Sequence, residues 1–196
     1  PFIRPRTGGT VVLRGPYGRR IAGVDLVTGS TMQFRGSPYG LAVGISGVSN
    51  LLEQDNIELI TTSDGAGTGD FTLLVLANPI AEARSSCGVS QQAASSTART
   101  HLAFNAGTAT SGLAAVSGGL CFIARDGTTG GLAITGAVDG QYHLFAGRRR
   151  GTDHSIWIDG VNRGSGSNTA RAVANGPGGL GIGQTAETNN NRIDTA

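Results

Sequence analysis

The chain has 196 residues, of which 14% are charged and 38% hydrophobic, and carries a formal net charge of +2. That length suits one all-β domain with a core of its own, the net charge is too small to argue for nucleic acid on its own, and no apolar run approaches the ~20 residues of a membrane helix. Thirty-three glycines are more than twice the usual ~7%, without a collagen period and broken by apolar runs, so frequent turns between short strands account for them better than disorder does.

All fifteen basic residues are arginine. Codon bias in a GC-rich genome explains this blandly; a selected guanidinium surface, able to fork onto carboxylates and phosphates, explains it more sharply. Cys87 and Cys121 allow at most one bridge, and each sits beside small or apolar residues, so two buried thiols serve as well. The start, Pro1 to Arg6, lacks the pattern of a signal peptide and is read as a mature cytoplasmic start.

In chain order, residues 1–22 form a basic arm or edge segment. Arg4, Arg6, Arg14, Arg19 and Arg20 precede the first acid, Asp25, and prolines and glycines argue against a helix. Residues 23–196 are expected to form the folded domain. Short β-like runs come at Thr10–Leu13, Gly23–Val27, Thr31–Arg35 and Leu41–Ile45, and Asn56–Thr61 alternates. Phe71–Ala77 is almost wholly apolar and predicts a central strand buried on both faces. Ile80–Ala94 has room for a helical turn. Strands at His101–Asn105, Gly119–Arg125 and Gly131–Thr135 follow, then a hairpin of Gln141–Gly147 and Ser155–Val161 around an arginine-rich turn, and last Leu180–Gly183. Asp159-Gly160 carries a type I′ hairpin signal. Ile156 and Ile158 share one face of their strand and Trp157 takes the other, either in the core, which is the expectation, or on a concave outer face. This all-β order without a βαβ rhythm predicts two stacked antiparallel sheets.

Several pieces resemble a known family. Phe71 to Pro79 resembles the FTISAWVKP strand of laminin-G-like jelly-roll domains, and Gln141-Tyr142-His143-Leu144 resembles their WHHVA strand. Ser155 to Val161 resembles LYVDGV, Leu180 to Gly183 resembles LRIGG, and Arg192-Ile193-Asp194 resembles GRIDEV. The resemblance covers residues from about 55 to 196 and implies a concanavalin A-like two-sheet β-sandwich that binds rather than catalyses. Such domains normally continue past the last of these elements, so the final strand is expected to be missing here or supplied by a partner.

Glu53 to Glu58 spells E-x-D-x-x-E, which resembles the catalytic motif of a glucanase family on the same fold. Retaining hydrolysis takes two carboxylates ~5 Å apart. The intervening Gln54 and Asn56 are polar where that family is apolar, and few aromatics remain to hold sugar rings, so no catalytic residue is expected. The resemblance also raises calcium held at a sandwich edge, for which Asp64, Asp70, Asp153 and Asp159 are the available carboxylates. Aspartates at turns are ordinary, so neither metal nor cofactor is expected. Arg148, Arg149 and Arg150 at the hairpin tip are either a solvated turn or a contact with acidic glycan, phosphate or a neighbouring subunit. His143 and His154 have no acid or cysteine at triad or metal spacing, and Asn189-Asn190-Asn191 suggests a surface loop.

The expected function is that of a non-enzymatic bacteriophage virion protein, a head decoration or a tail-fibre or baseplate module. It would be assembled in the host cytoplasm as an oligomer, contacting other virion proteins and host glycans through the five N-terminal arginines and Arg148–Arg150, with no membrane or specific nucleic-acid partner. A carbohydrate-binding module of a larger bacterial surface protein is the alternative, and a glucanase a more distant one.

Overall fold

The computed structural model describes the backbone of fifteen strands and the segments 78–81, 135–142, 151–152 and 159–160, with side chains at residues 37–38, 70–81, 88–90, 100–106, 116–124 and 131–167. The strands are β1 (Phe2–Pro5), β2 (Thr10–Arg14), β3 (Arg20–Thr28), β4 (Gln33–Ser37), β5 (Gly40–Gly44) and β6 (Leu52–Gln54). There follow β7 (Phe71–Ala77), β8 (Ser86–Gln92), β9 (Arg99–Thr108), β10 (Ala114–Arg125) and β11 (Gly131–Ile134). The last are β12 (His143–Arg150), β13 (Asp153–Ile158), β14 (Val161–Ser167) and β15 (Leu180–Ile182). Among the described residues there is no helix.

One sheet runs β14-β13-β12-β7, and it packs on the β8-β9-β10-β11 end of a larger sheet ordered β1-β2-β3-β6-β15-β8-β9-β10-β11. The ladders within both sheets are antiparallel, and β4 and β5 form a separate hairpin. These are the two stacked antiparallel sheets expected from the strand rhythm, in the sandwich that the family resemblance implied.

Strand alternation builds the core. Leu102 and Phe104 from β9 and Leu120 and Phe122 from β10 meet Phe145, Ile156 and Ile158 from the facing sheet, with Phe71, Leu73 and Val75 of β7 packed against them. Phe104 and Phe145 meet edge to face at 4.9 Å between centroids, and Phe71 meets Phe122 at 5.9 Å. Burying each such side chain stabilises the fold by roughly 1.5–3 kcal/mol. Gly147 lets the sheets approach: a methyl there would overlap the Phe122 ring.

Four expectations change. Phe71–Ala77 has the predicted bounds, but β7 is an edge strand whose burial alternates, with Leu74 62% and Leu76 48% exposed. An apolar run fixes strand character; only the facing layer decides whether both sides are covered. The helical turn allowed within 80–94 gives way to β8, which pairs with β9 and β15. β14 was not anticipated, because Asn162-Arg163-Gly164-Ser165-Gly166-Ser167 has no apolar alternation; its pairing with β13 holds it. Trp157 stands on the outer face of its strand and not in the core.

Cys87 and Cys121 both register with Ala103, from opposite sides. They are two strand spacings apart, ~10 Å, beyond the Cα separation that a disulfide spans, and Cys121 is a buried thiol. Of the N-terminal arginines, Arg4 lies in β1, Arg14 in β2 and Arg20 in β3, at one edge of the larger sheet, while Arg6 and Arg19 lie outside the described residues. The strand expected at 56–61, the Asn189–Asn191 loop and the element at Arg192 also lie outside them.

Candidate functional site

The β12–β13 hairpin closes through Gly151-Thr152, with Gly151 at a φ of 57° and its N–H donating to Asp70 Oδ1 at 2.6 Å. Alternation then divides the arginine triplet. Arg148 and Arg150 point outward, whereas Arg149 turns inward, 2% exposed, and donates from Nε to the Gly151 carbonyl at 3.0 Å. The triplet therefore ends a strand and does not crown a loop, and its middle member lies in the interior.

Register sets the outer face in rows. Arg148 sits between Thr72 and Ser155, and Ser155 faces Ser165; one row along, Ala146 sits between Leu74 and Trp157, and Trp157 faces Asn162. The Trp157 indole N–H donates to Ser155 Oγ at 2.8 Å, which ties the ring back to the residue two positions earlier on its own strand. Opposite, β14 bulges between the partners of Ile156 and Trp157. Asn162 secures the bulge, accepting from Gly164 N at 2.9 Å and donating to Ser165 Oγ at 2.8 Å. Together these residues line an open depression of about 410 Å³, bounded by Arg148, Arg150, Asp153, Ser155, Trp157 and Asn162. Toward its other end the face is apolar, with Leu144 43% exposed beside Leu74 and Leu76. An indole platform ringed by amide, hydroxyl and guanidinium groups suits a flat, hydroxylated ligand.

A second polar cluster lies where β12 begins. The Asp159-Gly160 turn has both φ values positive, 52° and 80°, as a type I′ hairpin requires. Asp159 accepts from Leu144 N at 2.9 Å and contacts His143 Nδ1 at 2.5 Å, while Asp139 lies 3.1 Å from His143 Nε2 and accepts from Gln141 N at 2.9 Å. His143 therefore has two acidic partners, contrary to the sequence expectation; Asp139 is four residues back and Asp159 is brought over by the hairpin turn. The Asp159 hydrogen bond raises the His143 pKa most; burial opposes it, and Asp139 adds to the rise. Backbone N–H donors hold both carboxylates below the ordinary range, Leu144 for Asp159 and Gln141 for Asp139. With every member engaged by the others or the backbone, the cluster fastens a corner of the sheet.

His154 is different. It is 1% exposed, packs edge-on to Phe122 at 5.6 Å, and registers with Arg149. Among the described residues neither ring nitrogen has a hydrogen-bond partner. Burial, then the Arg149 charge, pull its pKa down to about 4.

The calcium candidates do not converge. Asp70 holds the hairpin turn, Asp159 holds His143, Asp153 borders the depression, and Asp64 lies outside the described residues. Among the described residues no group of three His, Cys, Asp or Glu is placed to hold a metal ion. Of the E-x-D-x-x-E residues, Glu53 lies in β6 and Glu58 outside the described residues.

No protein-family model and no curated protein matches the chain. Among solved structures it is similar to the binding domain of Paraclostridial Mosquitocidal Protein 1, with a TM-score of 0.59, 10% identity and 94% of this chain covered. The chain spans 45% of that solved binding-domain chain. A Bacillus licheniformis β-glucanase aligns over 90% of this chain and 69% of its own at 11% identity, with a TM-score of 0.41. At 10% identity the first likeness is one of fold, and the second is too loose to carry any inference.

Proposed function

We propose that the chain is a non-enzymatic binding sandwich that holds a sugar ring against Trp157 on the outer face of the β14-β13-β12-β7 sheet. The observation that carries this reading is the outward indole, pinned by Ser155 above a depression lined with Arg148, Arg150 and Asn162. Aromatic rings stack on the apolar faces of sugars, and the surrounding donors fix the hydroxyls. Hydrolysis of a glycosidic bond takes two carboxylates; among the described residues, Asp153 is the acid lining the depression. Neither metal nor cofactor enters this binding mode.

The bacteriophage setting rests on the sequence: fifteen arginines without a lysine, 33 glycines and an arginine-rich start. On a virion, a head decoration or tail fibre of this kind would touch host glycans at the Trp157 end of the face. The exposed Leu74, Leu76 and Leu144 favour a second contact, in which a neighbouring virion subunit covers the apolar end. A glycan array with wild type and Trp157→Ala tests the first role: selective binding lost in the variant supports it, and silence, or equal binding by the variant, refutes it. A mass-spectrometric inventory of purified particles tests the setting.

A further inference from the structure

The glycan reading leaves the class of sugar open, and the arrangement of charge around Trp157 narrows it. Arg148 and Arg150 are two residues apart on one strand face, so both guanidinium groups overhang the same side of the depression. Among the described residues neither has an ion-pair partner, whereas Arg149 is turned away and engaged by the Gly151 carbonyl. Ser155 joins the two halves of the site: its backbone registers with Arg148, and its hydroxyl accepts the indole N–H. Trp157 is thus a diagonal neighbour of Arg148, ~7–8 Å away between backbones and within reach of so long a side chain.

We propose that this site takes an acidic sugar, its ring on Trp157 and its single carboxylate on Arg148 and Arg150. The inference rests on the glycan reading given above. A guanidinium fork matches a carboxylate in two parallel hydrogen bonds, which a neutral hydroxyl cannot reproduce. Asp153, register partner of Arg150, limits the charge the site accepts. It stands against a polyanion such as a heavily sulfated chain, as does the net charge of only +2. A lone ring-borne carboxylate is the anion this balance fits, as in a uronic or sialic acid.

Calorimetry with two matched pairs tests the proposal: trigalacturonic acid against its methyl ester, and 3′-sialyllactose against lactose. In at least one pair the acid should bind about tenfold or more tightly than its neutral partner, with affinity falling as sodium chloride rises. Arg148→Gln should reduce the acid to the neutral level. Arg163→Gln, on exposed β14 and outside the lining of the depression, should change it less than about twofold. Equal binding of acid and neutral members overturns the acidic preference and leaves the glycan reading standing. Silence with all four probes also overturns it, and the glycan reading falls too only when the array is silent. Heparin binding more tightly than both acids would mark a polyanion surface and contradict the proposal.

Discussion

The two faces of the β14-β13-β12-β7 sheet come from the same strands, yet they have opposite fates. Inward, Phe71, Leu73, Val75, Phe145, Ile156 and Ile158 close against β9 and β10. Outward, Leu74, Leu76 and Leu144 stay exposed, and Trp157 lies over a depression edged by arginines. The inner face is mostly apolar and closed by the facing sheet, with Arg149 and His154 as buried polar members near the hairpin end. The outer face is mixed, with apolar groups that nothing among the described residues covers. Folding accounts for the first pattern, and recognition is the simplest cause of the second.

The comparison predicts very unequal costs. Phe145→Ala should destabilise the domain most, by roughly 3–5 kcal/mol, because it empties a closed site against Phe104; urea denaturation measures this. A loss below ~1 kcal/mol would mean the inner face is less tightly closed than described.

Acid should reveal the next largest effect. His154 is about 4 in the fold, against 6.5 in an unfolded chain, so the native state binds fewer protons between these values. Its neutral form supports stability above pH ~6.5, and that support declines as pH falls toward 4, by as much as ~3 kcal/mol at ~1.4 kcal/mol per unit. His154→Leu should flatten this limb of a stability–pH curve. An unchanged limb would show that His154 is not held neutral in the interior.

His143 should act with the opposite sign and a smaller amplitude. Its folded pKa is raised, so its contribution is fully present below about 6.5 and is lost as pH rises through the folded value. Asp159→Asn should shrink that alkaline decline, with Asp139 retaining part of it, and leave the His154 contribution to the acid limb in place. Last and smallest, Leu74→Ser on the open face should change stability by no more than ~0.5 kcal/mol. A much larger loss would mean that the outer leucines belong to a core.

Much of the fold was legible from period-2 patterning and turn chemistry. Phe71–Ala77 has the predicted ends, and Asp159-Gly160 makes the turn that its two residues prescribe. What escaped depends on contacts between distant segments. The coverage of β7 is set by its place at the edge of a sheet order, which no local pattern encodes. β14 is polar and rich in glycine, and it is a strand because β13 pairs with it. Alternation through Arg148-Arg149-Arg150 already implied that the middle arginine faces away from its neighbours; treating the triplet as a loop tip concealed this. Trp157 was separable from Ile156 and Ile158 by face, but which face was inward required the partner sheet. The Asp139-His143-Asp159 cluster joins an i, i+4 pair to a turn residue sixteen positions on, so only its first half had a sequence signal.

Trp157 is the chain's only tryptophan, so its fluorescence reports from the outer face alone. The most direct test is a titration of that emission with 3′-sialyllactose and trigalacturonic acid, run beside calorimetry on the same samples. The account predicts a saturable change in emission with the same midpoint as the heat of binding. Heat of binding with the Trp157 emission unchanged would contradict it, because the sugar would then sit elsewhere on the sandwich.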